Sequence, residues 1–258
     1  MKLKGEIMTY KPKEYWEKRL ESQPNLKGVG CAGFNENYNK YLYSLKVSAL
    51  DKILNKYYSI TIKGRSILDV GCDTGFFVNY YHKKGAKKIT GLDITKTSIS
   101  MLKEKYPAYN FYVADISDPN HPLKLKEKFD IINAFDVLYH VTDNGKFETA
   151  INNISSLCLG GGYVLITDVF WKDDIIPAEH VRFRSLQKYK EILPKNNIEI
   201  LDIFPIYYLI SRGFYLPAFV LNRIGSIFCL VDKSLRGMKI PNGKNIKLLI
   251  GKKRWQND

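Results

Sequence analysis

The sequence predicts an α/β fold built on a doubly wound, seven-stranded, mostly parallel sheet. From Ser66 onward, short apolar runs alternate with stretches of helical periodicity, as expected when helices connect parallel strands. Most of these runs do not alternate between apolar and polar residues, which is typical of strands covered on both faces. Helices are predicted before the sheet, and a helical insertion is predicted before its last strand.

Seven apolar runs are candidate strands. The first five follow one another at the spacing of β–α units, whereas an insertion at about 205–243 separates the sixth from the seventh. Gly160, Gly161 and Gly162 are expected to form a loop before the fifth strand. The runs are SILDV (66–70), KITGLDI (88–94), NFYVA (110–114), FDIINAF (129–135), GYVLITDVF (162–170), IEILDIF (198–204) and NIKLLIGKK (245–253).

The N-terminal part is predicted to be a helical cap. Residues 11–22 and about 37–58 show the spacing of amphipathic helices, so we assign residues 1–60 to the cap and 61–258 to the main domain. The first residues contain no apolar run of signal-peptide length, and the scattered cysteines indicate reduced thiols. A cytoplasmic location is expected, and a peripheral contact with a membrane stays open.

The net charge of +14 is concentrated in the two flanks of the chain. Residues 1–65 carry +7, residues 66–204 carry −1 and residues 205–258 carry +8. This distribution indicates attraction to an anionic partner or surface, although a generally lysine-rich composition explains it equally well. Residues 204–231 are strongly apolar but are interrupted by Arg212 and Arg223, so we expect a lid or a membrane-surface contact there, and no transmembrane helix.

The segment ILDVGCDTGFF (67–77) predicts a ligand site at the end of the first strand. The strand ends near Asp69, the chain turns at Gly71, and a helix begins at Gly75. Glycine permits a positive φ and lets a ligand approach the backbone closely. A carboxylate two positions before the first glycine suits a cationic amino-acid ligand, whereas it would repel a pyrophosphate.

Further side chains suited to a nucleoside follow the next strands. Asp93 comes about twenty residues later, at the spacing of a carboxylate that accepts hydrogen bonds from both ribose hydroxyls. Asp115 is placed to accept from an adenine amino group, with Ile94 and Ile116 as apolar faces for the ring. After the fourth strand, Asp136 and His140 are expected in the crevice at the carboxyl ends of the strands.

Together these segments resemble the class I S-adenosylmethionine (SAM)-dependent methyltransferases, over roughly residues 60–204 plus the last strand. The resemblance implies a Rossmann-like fold and SAM as the cofactor. In that family the first motif usually reads DxGxGxG, and here Asp73 replaces the middle glycine; Asp is among the residues that best tolerate a positive φ. The resemblance places Asp69 and Gly71 at the methionine end, Asp93 at the ribose and Asp115 at the adenine. Cys72, Gly75 and Asp136, which is in the fourth motif, are also expected to bind the cofactor.

The segment YWEKRL near the N-terminus resembles the cap helix of small-molecule methyltransferases. By this resemblance Tyr15, Trp16 and Arg19 close over the cofactor, with Arg19 near its carboxylate. The alternative is an amphipathic helix that packs on the domain without touching a ligand.

The acceptor side is predicted from histidines, arginines and an aromatic insertion. His140 is the first candidate for a general base, followed by His180 and Tyr139. Arg182 and Arg184 are candidates for binding an anionic acceptor, unless they are solvated helix charges. The insertion would suit an apolar acceptor through Tyr215 and its aromatic neighbours Tyr207, Tyr208, Phe214 and Phe219.

The sequence therefore predicts a methyltransferase that acts on a small anionic or amphipathic acceptor, such as a lipid- or sugar-linked one. No metal is expected, since neither the cysteines nor the carboxylates show metal-ligand spacing. An RNA methyltransferase and a non-catalytic SAM-binding partner protein stay open. A nucleotide-dependent oxidoreductase would share the fold, but Asp69 argues against it.

Overall fold

The computed structural model describes residues 10–120, 125, 127–210, 217–235 and 243–255. Within them lie nine strands: β1 (Ser66–Val70), β2 (Lys88–Asp93), β3 (Asn110–Val113), β4 (Phe129–Ala134), β5 (Cys158–Asp168), β6 (Ile175–Ala178), β7 (Val181–Phe183), β8 (Ile198–Pro205) and β9 (Lys247–Lys253).

Seven of these strands form one sheet in the order β3-β2-β1-β4-β5-β9-β8. Strands β1 to β5 are parallel to their neighbours, and β9 runs antiparallel to both β5 and β8. The prediction of a seven-stranded, mostly parallel sheet is confirmed. Each predicted strand falls on a strand of the sheet.

Eight α-helices accompany the strands in the described residues. A π-helical turn, Ile53–Tyr57, extends the third helix, and a 3₁₀ turn, Leu138–His140, follows β4. The helices are α1 (Pro12–Ser22), α2 (Leu26–Val29), α3 (Glu36–Lys52), α4 (Phe76–Lys83), α5 (Lys96–Lys105), α6 (Asn144–Leu157), α7 (Leu186–Lys195) and α8 (Ala218–Leu235).

Both faces of the sheet are covered by apolar side chains, as the unalternating strands predict. Ile67 packs into a cluster with α3 and α4, whereas Leu68, the next residue of β1, packs into a cluster with α6 and α7. The first cluster also contains Leu45 and Leu50, so the N-terminal helix α3 shares its core with the sheet. The predicted domain boundary at residue 60 stays a prediction.

The strand order places a crevice beside β1. The chain proceeds from β1 through β2 to β3 on one side of the sheet, and then crosses to β4 on the other side of β1. At such a reversal, the connections after the two neighbouring strands diverge and leave an opening at their carboxyl ends. The residues after β1 and β4 therefore lie at the opening.

The glycine run Gly160–Gly162 belongs to β5, so the predicted loop at this point is wrong. The pairing of β4 with β5 shifts register between Phe129 and Ile131, where the glycines are accommodated as an irregular part of the strand. A Cβ at Gly160 would lie 2.7 Å from the Trp255 ring, and one at Gly161 would lie equally close. The glycines thus let Trp255 pack directly on the strand.

The segment between β8 and β9 carries α8, which packs against α3. A Cβ at Gly225 would lie 2.8 Å from the Tyr38 ring, so the glycine allows a close approach of the two helices. The buried Asp232 accepts hydrogen bonds from three consecutive backbone N–H groups, of Tyr208, Leu209 and Ile210. Among the helices in the described residues, none has the length and apolarity needed to cross a bilayer.

Candidate functional site

A cavity of about 340 Å³ opens at the carboxyl ends of β1 to β4, beneath α1. Its lining includes residues from all four of these strand ends and from the N-terminal helices. They include Tyr10, Trp16, Leu20, Tyr43, Gly71, Asp73, Asp93, Ile94, Asp115, Ile116, Asp136, Val137, His140 and Lys146.

The turn after β1 has the backbone that the glycine spacing predicts. Gly71 and Gly75 have φ values of 70° and 79°, and Asp73 between them has a φ of 40°. A Cβ at Gly71 would lie 2.3 Å from Val137 Cγ2, so a larger residue there would displace the loop after β4. Asp73 thus adopts the left-handed conformation usually left to glycine.

Asp73 and Asp93 form one hydrogen-bonded unit on the cavity wall. The Asp73 backbone N–H donates to Asp93 Oδ2 at 3.1 Å, and Thr95 donates to Asp93 Oδ1 through both its N–H and its hydroxyl. The Tyr43 hydroxyl donates to Asp73 Oδ2 at 3.3 Å. Burial and the neighbouring Asp93 raise the pKa of Asp73 to about 7, and burial also raises the pKa of Asp93.

Asp69 lies deeper, at the end of β1. Asn133 Nδ2 donates to Asp69 Oδ1 at 2.5 Å, whereas Asp69 Oδ2 has no hydrogen-bond partner in the described part of the chain. Burial, with Asp73 and Asp93 nearby, raises the pKa of Asp69 well above its ordinary value. Its neighbour Cys72 is 1% exposed and directs its Sγ toward Gly91, away from the described lining of the cavity.

The far end of the cavity combines a carboxylate with apolar walls. Asp115 follows β3, and its Oδ1 accepts from the backbone N–H and hydroxyl of Ser117 at 2.8 and 2.6 Å. Ile94 and Ile116 line the same region. A flat ring with an exocyclic amino group would find an acceptor and two apolar contacts here.

The electrostatics of the cavity favour a ligand that carries positive charge. Asp73, Asp93 and Asp115 line it without a cationic partner in an ion pair, and Lys146 is the one lysine or arginine among the described lining residues. Asp136 differs, because the buried Lys46 of α3 forms an ion pair with its Oδ2. Burial would raise the pKa of Asp136, but Lys46 outweighs it and keeps that pKa below its ordinary value.

His140 lies in the wall next to α1 and is held in one tautomer. Its Nδ1 lies 2.7 Å from the backbone carbonyl oxygen of His180. Because a carbonyl only accepts, Nδ1 carries the proton, and Nε2 is the acceptor nitrogen of a neutral ring. Burial lowers the pKa of His140 to about 4, and the Trp16 ring packs edge-on against it at 4.8 Å. At neutral pH the His140 ring is therefore uncharged, with Nε2 unprotonated.

Comparison with known protein families agrees with this geometry. Residues 38–203, well over half of the chain, match the model of a family described as a methyltransferase domain. The chain belongs to this methyltransferase family.

Individual relatives extend the comparison. The ubiquinone biosynthesis O-methyltransferase of Coxiella burnetii is 31% identical over 114 residues, which are 43% of this chain and 46% of that protein. The chain therefore spans less than half of that relative's length.

Solved structures share the fold of this chain at low sequence identity. The N-methyltransferase NodS of Bradyrhizobium japonicum, solved with S-adenosylhomocysteine, superposes with a TM-score of 0.58 at 14% identity, covering 93% of this chain and 98% of that one. The magnesium protoporphyrin IX methyltransferase of Synechocystis, solved with SAM, gives the same TM-score and identity and covers 95% and 99%.

The other two predicted bases lie beside His140. The Tyr139 ring contacts both the His140 and Phe183 rings, and burial with the nearby Asp136 raises the Tyr139 pKa well above its ordinary value. Tyr139 therefore keeps its proton and is a poor base. The His180 ring stacks on Tyr15 at 4.8 Å and lies parallel to the His140 ring at 5.8 Å.

The predicted arginines occupy structural positions. Arg184 is 1% exposed and donates to the carbonyls of Leu138, Val141, Thr142 and Asp143, so it holds the loop after β4. Arg182 pairs with Asp174 at 2.9 Å. Neither arginine is on the helix considered as an alternative, because Arg182 is in β7 and Arg184 follows it.

Arg19 and Tyr215 complete the predicted set. The Arg19 guanidinium packs over the Trp16 ring at 4.9 Å and donates to the Gly30 carbonyl at 3.2 Å. It is not among the described residues that line the cavity, so its contact with a cofactor carboxylate stays a prediction. Tyr215 lies outside the described residues, as do Phe214 and the rest of 211–216.

Two residues important to the site were missed in the sequence. Lys46, 4% exposed, lies on the buried side of α3 beside Leu42 and Leu45; a lysine within the apolar stripe of a helix was the available signal. Glu17 accepts hydrogen bonds from the backbone N–H groups of Lys96 and Thr97 and thereby joins α1 to the start of α5. No local pattern indicates that contact, because it joins residues about eighty positions apart.

Proposed function

We propose that the protein is a SAM-dependent methyltransferase that methylates a hydroxyl group of a small amphipathic acceptor. The observation that carries the proposal is an acidic cavity at the crevice beside β1, with the neutral His140 in its wall. Family membership supports methyl transfer. The proposed acceptor class is inferred from the side chains that line the cavity next to α1, which include Trp16 and His140.

The residues of the cavity fit SAM. The ligand carries an ammonium and a sulfonium, which suit carboxylates such as Asp73 that form no ion pair within the described residues. Asp93 is positioned for the ribose hydroxyls, and Asp115 with Ile94 and Ile116 for the adenine. Asp69 lies behind the methionine end, where its Oδ2 is buried without a hydrogen-bond partner in the described part of the chain.

When bound, SAM supplies a methyl group on a positively charged sulfur, which an acceptor nucleophile displaces in line. The chain's own residues align the acceptor and exclude water. Trp16 on α1 and His140 after β4 contact each other across the cavity wall, so this part of the cavity is walled by aromatic rings. His140 Nε2 is the nitrogen able to take the proton of an acceptor hydroxyl.

The aromatic wall supports an acceptor with an apolar, flat portion. Tyr10 and Trp16 line the cavity with His140, and all three present ring surfaces. The curated relative named for ubiquinone biosynthesis is an O-methyltransferase, which agrees with a hydroxyl acceptor. Lys146, on the rim, is the cation placed to meet an anionic group of the acceptor.

The cofactor assignment is tested by titration calorimetry with SAM and S-adenosylhomocysteine. We expect both to bind, and Asp93→Ala to weaken SAM binding about 10- to 100-fold, since hydrogen bonds to a charged group contribute about 1.5–3 kcal/mol. Asp173→Ala, which removes an exposed carboxylate that is not among the described lining residues, is the matched control. Absence of binding of either ligand at millimolar concentration would overturn the proposal.

The acceptor is identified by turnover. Protein and methyl-labelled SAM are incubated with cell extracts fractionated by polarity, and labelled products are analysed by mass. We expect label in a small amphipathic product, with the methyl on oxygen, and loss of labelling with His140→Asn. Label recovered in RNA or protein, or no label despite SAM binding, would contradict the proposed acceptor class.

A further inference from the structure

The outward face of α8 carries more apolar surface than folding requires. Phe219, Ile227 and Leu230 are 67%, 58% and 66% exposed, and Val231 is also exposed. At 100° per residue, these four positions lie on the same half of the helix. Single exposed apolar residues are ordinary, but four of them on one half of a helix indicate a contact surface.

The opposite face of α8 already anchors the helix to the protein. Leu221, Gly225 and Cys229 are buried there, with Gly225 against the Tyr38 ring and Cys229 Sγ 3.6 Å from the Ser44 hydroxyl oxygen. Asp232 on the same face binds the three backbone N–H groups of the segment after β8. The helix is thus held in place by one side, and its other side is available.

The charges on the available side are positive. Arg223 lies between Phe219 and Ile227 at four-residue steps, and Lys233 is exposed at the edge of the same face. Asp232 is the one acidic residue of the described helix, and it is 0% exposed. The outward face therefore presents four large apolar side chains and two cations with no exposed carboxylate.

We propose that the outward face of α8 lies on an anionic lipid bilayer, parallel to the surface. Apolar side chains of an amphipathic helix enter the boundary between headgroups and acyl chains, while Arg and Lys reach lipid phosphates. The net charge of +8 over residues 205–258 adds attraction to the same surface. The face has Arg223 and Lys233 but no exposed carboxylate, so a second copy packed on it would offer no opposite charge to these cations.

Vesicle cosedimentation of the full chain tests the proposal without relying on the proposed methyl transfer. We expect binding to phosphatidylcholine vesicles that contain phosphatidylglycerol, much weaker binding to pure phosphatidylcholine, and weakening by salt. The combined variant Phe219→Ser, Ile227→Ser, Leu230→Ser should lose binding at least tenfold. Arg223→Gln should lose about fivefold, the usual effect of one cation near an anionic surface.

Two control variants distinguish binding through the outward face of α8 from nonspecific effects of exposed apolar side chains and of positive charge elsewhere on the protein. Ile176→Ser removes an equally exposed apolar residue on β6, and Lys190→Gln removes an exposed cation on α7; both should bind vesicles like the unchanged protein. Hydrogen exchange should show protection of 219–231 on vesicles, and SAM binding should be retained in the triple variant if it is folded.

Three outcomes would overturn the proposal. They are no binding to anionic vesicles, unchanged binding of the triple variant, and a dimer in solution that the triple variant converts to a monomer. The last would assign the face to a second copy of the chain.

Discussion

At the scale of single residues, Asp73 gives this cavity a property that the glycine usual at its position would not. Asp73 lies within a turn that requires a positive φ at its position. Its side chain adds a carboxylate next to Asp93. Its pKa of about 7 lies above the ordinary value of Asp, so ionising it opposes folding of the ligand-free protein. A cationic ligand reverses that effect, because it is attracted to the ionised form.

Asp73→Asn should therefore stabilise the ligand-free protein at pH 8 and flatten the decline in stability between about pH 4 and pH 7. It should also reduce the preference for SAM over the uncharged-sulfur product S-adenosylhomocysteine by about fivefold, for a Coulomb contribution of about 1 kcal/mol. Thermal denaturation across pH and calorimetry with both ligands measure these effects. Asp173→Asn is the control, and an unchanged ratio of the two affinities would refute the role in selectivity.

The lowered pKa of His140 predicts how kcat depends on pH. Its pKa of about 4 means that the base form persists down to mildly acidic pH, and proton acceptance is lost only as pH falls through that value. At saturating SAM, kcat should stay level from about pH 5 to pH 8, without a change near the ordinary histidine pKa of about 6.5. His140→Asn should lower kcat by about 10²–10⁴-fold.

The histidine control is His82, which is hydrogen-bonded to Tyr109 on the exterior. His82→Asn should leave kcat unchanged. An inflection near pH 6.5 that disappears in His140→Asn would show that the imidazole is not shifted, and an unaffected kcat would remove His140 from the mechanism.

At the scale of elements, α1 covers the cavity and is fastened by few contacts. Trp16 packs on His140, Tyr15 stacks on His180, and both Glu17 carboxylate oxygens cap the N-terminus of α5. Burial would raise the pKa of Glu17, but the hydrogen bonds from Thr97 and Lys96 outweigh it and lower that pKa. The contribution of these hydrogen bonds to the stability of the fold is present at neutral pH, and it is lost as pH falls through the pKa of Glu17.

Glu17→Ala should loosen α1 without unfolding the sheet. A side-chain cap contributes about 1 kcal/mol, so amides of residues 12–22 should exchange about fivefold faster, and SAM affinity should fall by a similar factor. Hydrogen exchange and calorimetry report the two effects. Glu21→Ala on the same helix, where the side chain is exposed, serves as the control; equal exchange in the two variants would contradict the role of the cap.

At the scale of the whole molecule, an acidic cavity lies within a basic protein. The cavity is lined by Asp73, Asp93 and Asp115, whereas the excess of Lys and Arg belongs to the two flanks of the chain. The expectation that an anionic acceptor is bound by Arg182 and Arg184 therefore has no support from the geometry. The basic flanks would attract an anionic surface, whereas the acidic cavity would attract a cationic ligand. The two interactions therefore involve different parts of the chain.

This separation predicts which adenosine ligands bind. NADH offers an adenosine but carries a pyrophosphate, which the carboxylates repel, so NADH at about 1 mM should not displace labelled SAM, whereas S-adenosylhomocysteine should. Equilibrium dialysis with labelled SAM measures whether each of the two ligands displaces it. Displacement of SAM by NADH at comparable concentrations would favour the nucleotide-dependent oxidoreductase that shares this fold.

The sequence by itself determined the sheet and the acidic residues that line the cavity at its edge. Runs such as SILDV predict strands because residues buried on both faces must be apolar, and Gly71 and Gly75 predict the turn because it requires positive φ. Asp93 and Asp115 follow strands of a parallel sheet, so topology alone brings them to one edge. Each of these features depends on residues close together in the sequence, so a single sequence is enough to predict it.

The tertiary structure alone decided the surroundings of the residues predicted to meet the acceptor. Arg184 was predicted to bind an anionic acceptor, yet packing buries it beneath four backbone carbonyls. Lys46 was not predicted for the site, yet it pairs with Asp136. The neutral tautomer of His140 depends on a carbonyl forty residues away, and the covering position of α1 depends on Glu17 meeting α5. Burial and long-range partners set the charge and role of such groups, and neither is present in the local pattern of residues.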